Sequence, residues 1–194
     1  KAPSEAAALK QIEPVEQQLR AIGGLDCYGT DEESLASVVG NLLQARGHTV
    51  AVAESCTGGG LGHLITSVAG SSTYFRGGVI SYDNQVKIDV LGVNAADLNQ
   101  YGAVSEQVAQ QMAIGVRQQL RTTWGLSITG IAGPDGGTEA KPVGLVYLGI
   151  AGPDEQAQSF RFQYGDFRGR EAIRWLSACT ALDLLRRQLL SISA

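Results

Sequence analysis

Apolar positions along the chain change spacing several times, and each change marks an element. In TDEESLASVVGNLLQARG, residues 30–47, Leu35, Val39 and Leu42 share one helical face. Thr30 and Glu33 have the spacing of a capping box ahead of that face, and Gly47 supplies a stop. TVAVA at 49–53 has no polar break and predicts a short buried strand. The glycines at 58–60 open a second helix, with Leu61, Leu64, Ile65 and Val68 inward and Gly70 at its end. GVISY at 78–82 predicts another strand, and Val86 and Val90 a short helix closed by Gly92. Ser105 N-caps a long helix in which Val108, Met112, Val116 and Leu120 recur every four residues. LSIT at 126–129 is a third buried strand. VGLVYLGI and AQSFRFQ then pair as a hairpin across AGPDEQ. The last helix runs from about 169 to 190, with Leu176, Cys179, Leu182, Leu185 and Leu189 inward.

Helices alternating with five strands, the last two forming a hairpin, predict a three-layer α/β/α sandwich around a mixed, mostly parallel five-stranded sheet. Residues 1–28 are polar and rich in Ala, Gln and Glu, and read as a linker or the tail of a preceding domain; residues 29–194 form the domain proper. The only methionine is Met112 and the chain opens KAPSE, so the expectation is a C-terminal piece of a longer protein. A net charge of -4 argues against a protein that lives on nucleic-acid backbones. No apolar run approaches the roughly 20 residues that span a bilayer. Cys27, Cys56 and Cys179 are odd in number and widely spaced, as reduced thiols of a cytoplasmic protein are. With two histidines and no CxxC pair, no metal site is expected.

The chemistry concentrates in AVAESCTGGGLGHLIT, residues 51–66. A strand entering a helix through glycines leaves backbone N–H groups able to hold a phosphate or a developing oxyanion. Ser55 stands where a hydroxyl attacks a carbonyl held there, although Ser55 or Thr57 serves equally as a plain N-cap. Cys56 is a second nucleophile if a helix N-terminus acidifies it, and a small buried hydrophobe otherwise. A serine needs a base. His63 lies six residues into the turn and helix, about 9 Å along the axis, and points away. Beyond the first 28 residues the only lysines are Lys87 and Lys141. Lys87, in SYDNQVK, follows a strand that can neighbour 49–53, and burial would free its amine to act as base. A solvated lysine on a short helix is the plainer reading. The glycine-rich SITGIAGPDGGTEAKPVG suits close backbone approach to a ligand and is not a P-loop. GSS at 70–72 caps a turn or offers hydroxyls to a phosphate.

AESCTGGGL, GSSTYFRGGVISYDNQVK, LGV, YGAVSEQVAQQMAIGVR, LSITGIAGPDGGTEAKPVGLVYLGI and a closing R-x-x-I-R, in this order, resemble the CinA C-terminal domain family over about residues 30–190. Enzymatic members of that family are nicotinamide mononucleotide deamidases. The resemblance implies hydrolysis of nicotinamide mononucleotide to nicotinate mononucleotide and ammonia, with no metal or cofactor. Ser55 aligns with the family's nucleophile and Lys87 with its basic partner. N–H groups around Cys56–Gly59 are candidates for the oxyanion hole. Thr57, Gly58, Gly59, Tyr82, Ser105, Thr129, Gly130, Gly133 and Arg170 are candidates to hold substrate, with Arg76 an alternative for the phosphate. GDFRGREAIR departs from the family's GDR, leaving Arg168 and Arg170 as alternatives for its arginine. The resemblance further implies a cytoplasmic homodimer or larger assembly, joined in the parent protein to an N-terminal domain. The competing reading is a non-catalytic module that senses a nucleotide or binds a partner.

Overall fold

The computed structural model describes residues 2–154 and 156–191, which fall into two compact units meeting at Ser34 and Leu35. The first unit is dominated by helix α1, Glu5–Gly23. Ser4 caps it through a 3.3 Å bond from the Ala7 N–H, and Gly24 ends it with φ at 51°. No residue of α1 is buried, and Leu9, Ile12, Val15, Leu19 and Ile22 are all more than half exposed. The Thr30 and Glu33 pair forms, with the Thr30 N–H donating to Glu33 at 2.9 Å, but the next helix starts only at Leu35. The pair therefore closes a turn of its own and not the predicted helix.

The second unit holds α2 (Leu35–Ala45), β1 (Val50–Glu54), α3 (Gly60–Thr66), β2 (Phe75–Ile80), α4 (Asn84–Leu91), α5 (Ala95–Tyr101) and α6 (Glu106–Gln119). It continues through β3 (Trp124–Gly130), β4 (Leu145–Ala151), β5 (Ala157–Gln163) and α7 (Gly169–Ser191). Among the described residues the strands form one sheet in the order β2-β1-β3-β4-β5. The first three are parallel, β4 is antiparallel to β3, and β5 is antiparallel to β4. Only β4 therefore runs against the rest. The hairpin pairs as the sequence predicts, with Glu155 in its turn outside the described residues.

Period-two alternation along β1 sorts the layers. Val50 and Val52 join the core under α2, α3 and α7, with Leu43, Leu61, Ile173 and Leu185. Ala51 and Ala53 face the other way, toward Leu91, Val108, Met112 and Val116 of α4 and α6. Ser105 caps α6 as its position predicts, accepting from the Val108 N–H. Along α7 the buried stripe is Ile173, Ala178, Ala181, Leu182, Leu185 and Leu189, with Leu176 and Cys179 only half-buried beside it.

Helix α6 lies close on the sheet because the sheet is bare beneath it. A Cβ on Gly149 of β4 would come within 2.3 Å of the Ala109 carbonyl oxygen. Gly149→Ala is accordingly expected to destabilise the fold by about 1–3 kcal/mol, the usual effect of overpacking. Urea denaturation measures it, and an unchanged midpoint would show that α6 lifts off without penalty.

The chain leaves β1 toward α3 on one face and leaves the neighbouring β2 toward α4 on the other. Such a divergence opens a crevice at the carboxyl ends of the two strands, the usual place for a ligand in an open α/β sheet.

Candidate active site

Ser55 and Lys87 meet at those strand ends. Ser55 follows the last residue of β1, its N–H bonded to the Ile128 carbonyl of β3 at 2.9 Å, so the sheet fixes its backbone. Lys87 lies on the inner face of α4, which Asp83 caps through the Gln85 N–H at 2.7 Å. The lysine is only 1% exposed. Its Nζ donates to the Ser81 carbonyl at 2.6 Å and reaches Ser55 Oγ and the Tyr82 carbonyl, each at 3.4 Å. Desolvation lowers the lysine's pKa, and the Asp83 charge only partly opposes this. In its neutral form the amine has a lone pair to offer the Ser55 hydroxyl.

The turn after Ser55 is organised by Glu54, a residue the sequence reading left without a role. Its carboxylate is 1% exposed. It accepts from the N–H groups of Gly59 at 3.0 Å, Leu61 at 3.1 Å and Gly62 at 2.8 Å. Gly58 and Gly59, at φ 58° and 98°, occupy the left-handed region that lets the chain double back over it. The Gly58 N–H donates to the Ser55 carbonyl at 3.1 Å. Of the expected oxyanion donors, Gly58 and Gly59 are thus already engaged. Apart from a contact of Cys56 N–H with its own sulfur, the N–H groups of Cys56 and Thr57 have no acceptor among the described residues.

Cys56 points into the core under α7 and is 6% exposed. Burial pushes its thiol up to about 11, against the pull of its own N–H and of the Arg170 and Arg174 charges. A thiol in that state is a packing group, not an acidified nucleophile.

The substrate-binding candidates divide. Tyr82 is exposed, and its hydroxyl accepts from Arg170 Nη2 at 3.3 Å, while Arg170 Nη1 donates to the Gly133 carbonyl at 2.9 Å. Tyr82, Arg170 and Gly133 thus form one group reaching from α7 to the strand ends. Arg168 instead bonds the Tyr164 carbonyl at 2.9 Å. Ser105 and Thr129 are buried, their hydroxyls donating to the carbonyls of Gly102 and Ala103, each at 2.8 Å. Lys141 donates to the Val104 carbonyl at 2.7 Å and to that of Tyr101, so three side chains fasten the 101–105 turn. Gly130 is kept small by β4, since a Cβ there would lie 2.6 Å from Val146 Cγ2.

Arg76 lies at the start of β2, four residues before Ile80 and about 13 Å from the crevice end of the strand. Its Nη1 turns back to Ser72 at 3.4 Å, and the 71–73 turn shares that remote end. A second residue the sequence reading missed is Arg174, one helical turn beyond Arg170, whose Nη2 holds the Thr57 carbonyl at 2.8 Å. The closing R-x-x-I-R contained its signal, since i and i+4 share a helix face.

The chain matches known proteins over most of its length. The sequence matches the family described as the CinA C-terminal domain over residues 32–189. A CinA-like protein of Trichormus variabilis is 64% identical over 191 residues, covering 98% of this chain and 46% of that protein. One from Acaryochloris marina is 65% identical over 191 residues, covering 98% and 45%. The chain thus spans less than half the length of these relatives. Among solved structures, the competence/damage inducible protein CihA of Agrobacterium tumefaciens aligns with a TM-score of 0.79 at 40% identity, covering 84% of this chain and 98% of that one. The CinA superfamily protein KP700603 of Klebsiella pneumoniae aligns at 0.77 and 30%, covering 81% and 97%.

Proposed function

The chain belongs to the CinA C-terminal domain family, and from that premise we propose that it hydrolyses nicotinamide mononucleotide to nicotinate mononucleotide and ammonia through Ser55 and Lys87. The observation that carries the reading is the buried Lys87 amine 3.4 Å from the Ser55 hydroxyl, with its pKa lowered by desolvation. A desolvated amine with a lowered pKa is suited to act as a general base.

Neutral Lys87 takes the Ser55 proton as Oγ adds to the carboxamide carbon. The N–H groups of Cys56 and Thr57 receive the oxyanion. As the C–N bond breaks, the Lys87 ammonium returns its proton to the departing nitrogen, which leaves as ammonia. An ester on Ser55 remains. Lys87 then deprotonates a water that attacks the ester carbonyl; as the C–Oγ bond breaks, the Lys87 ammonium returns that proton to Oγ, and the acid is released with Ser55 and neutral Lys87 restored. The ring nitrogen of the substrate is already cationic and draws electrons from the amide. Tyr82, Arg170 and the Gly133 loop bind the ribosyl phosphate. The proposal extends to a homodimer or larger assembly in the cytoplasm, with a covalently attached N-terminal domain; no described helix is long and apolar enough to cross a membrane.

The test is ammonia release from nicotinamide mononucleotide by the purified chain beside its Ser55→Ala and Cys56→Ala variants. Parent and Cys56→Ala are expected to turn over within a factor of about three of each other, while Ser55→Ala is silent. Iodoacetamide at pH 8 should leave the parent active, because a thiol near 11 is scarcely ionised there. No release from a folded parent would favour a nucleotide-sensing module instead, and activity in Ser55→Ala would transfer the nucleophile elsewhere.

A further inference from the structure

Helices α3 and α7 enclose a groove in which, apart from Thr57, no lining residue takes part in the proposed reaction. Its volume is about 640 Å³, within the range of small-molecule sites. His63 of α3 faces Glu171, Arg174 and Trp175 of α7 across it, with exposed Arg168 and buried Thr57 also in its lining. Trp175 is 57% exposed, whereas Trp124 is 3% exposed. A large ring left in water beside cations is suited to cover a planar ligand.

Among the described residues, two polar atoms around this groove have no partner. Arg174 makes one hydrogen bond among the described residues, from Nη2 to the Thr57 carbonyl, and its buried Nε has no acceptor. Thr57 Oγ1, also buried, has no partner either. Orphaned groups of this kind are costly and call for one. The guanidinium fork that Arg174 leaves unfilled matches the oxygens of an oxyacid. Arg168 and Arg174 outnumber Glu171, so the groove favours an anion.

We infer that this groove is a second small-molecule site, for a planar aromatic anion of the mononucleotide class, with its ring against Trp175 and its acidic oxygens on Arg174. Its occupant is coupled to the reacting turn. Arg174 also holds the carbonyl of Thr57, two residues beyond Ser55, so a ligand that draws the guanidinium alters the backbone that presents the oxyanion donors. The binding half of this inference stands independently, while the coupling half rests on the reaction proposed above.

Adenosine 5′-monophosphate is a suitable probe, since it has a ring and a phosphate but no carboxamide to hydrolyse. Titrated into the full chain, it should quench the fluorescence of Trp175 and give a saturable calorimetric isotherm, with inorganic phosphate binding at least tenfold more weakly. Trp175→Leu should weaken nucleotide binding at least tenfold, keep the parent's thermal midpoint, and release ammonia at the parent's rate without nucleotide. Arg170→Gln should bind the nucleotide as the parent does, and in the parent the bound nucleotide should change the rate of ammonia release. Several outcomes would overturn the site: no saturable binding up to several millimolar, undiminished binding in Trp175→Leu, or loss of binding in Arg170→Gln alone, which would move the probe to the catalytic crevice. Phosphate binding as tightly as nucleotide would remove the role of the ring, and binding without effect on a measurable rate would remove the coupling. If no variant releases ammonia, the proposed reaction fails while the isotherms still decide the groove.

Discussion

Lys87→Met is expected to lower ammonia release by about 10³-fold or more while leaving the fold at least as stable as before. A positioned general base contributes about 10²–10⁴-fold, and Lys87 is asked to move the proton in both halves of the reaction. Methionine matches the lysine stem in length and fills the same space under α4. It forgoes the 2.6 Å bond to the Ser81 carbonyl, but it also removes an amine that is 1% exposed. Burial of that amine carries a desolvation cost, which a packed apolar group of similar volume removes.

The pH dependence separates this role from plain packing. Burial lowers the folded-state pKa of Lys87 below the ordinary value of 10.5. Between the two pKa values the unfolded chain binds more protons than the folded one, so this group makes stability rise with pH across that window. The same deprotonation supplies the base, so kcat/KM of the parent should rise with pH through the folded pKa. In Lys87→Met both dependences should vanish, and steady-state rates with urea denaturation at several pH values measure them. A variant within tenfold of the parent would exclude Lys87 as the base.

The second large effect is expected at Glu54. Glu54→Gln keeps the shape but offers one acceptor oxygen in place of two, and it points an NH₂ at an N–H donor. Three bonds of 2.8–3.1 Å to Gly59, Leu61 and Gly62 then cannot all survive. Bonds to a charged acceptor are worth about 1.5–3 kcal/mol each, so a net loss of about 3 kcal/mol is expected. In a chain of this size that corresponds to a fall of roughly 6–12 °C in Tm. Catalysis should suffer more than binding. The released N–H groups loosen the turn that aims Cys56 and Thr57, so kcat should fall at least tenfold with KM little changed. A calorimetric scan and steady-state kinetics would show it, and an unaltered Tm would mean that water replaces the carboxylate without loss.

How much of this was readable in the sequence depends on where each signal resides. The cap at Ser105, the four-residue period of α6 and the β4–β5 hairpin are written in residue type and spacing, and they appear as read. The start of β2 was missed because Phe75-Arg76-Gly77-Gly78 looks like a turn, yet both glycines pair with β1. Helix α5 escaped because it is seven residues long and buries only Leu98. At the site, the scarcity of lysine left Lys87 and Lys141 as candidates with a solvated Lys87 the plainer reading, and the resemblance supplied the pairing of Lys87 with Ser55. Glu54 was invisible because its partners are backbone N–H groups, which leave no mark in residue identity. Ser105 and Thr129 read as candidates to hold substrate, but a sequence does not say which carbonyl a hydroxyl will meet.

The setting of Ser55 also bears on how such a protein diverges. Strand β1 has a parallel neighbour on each side, and the residues flanking its end are held from both, Ser55 N–H by Ile128 and Glu54 oxygen by the Ser81 N–H at 2.8 Å. Amides bonded between neighbouring strands are expected among the better protected from exchange with solvent deuterium. Tyr82 and Arg170, by contrast, are exposed side chains whose bonds cross from one element to another. The proposed nucleophile thus stands on backbone held from both sides, and the proposed recognition group on the periphery. Under the proposed reaction, a change of substrate is expected to fall at Tyr82, Arg170 and the Gly133 loop, whose side-chain bonds can be exchanged without disturbing the sheet that fixes Ser55.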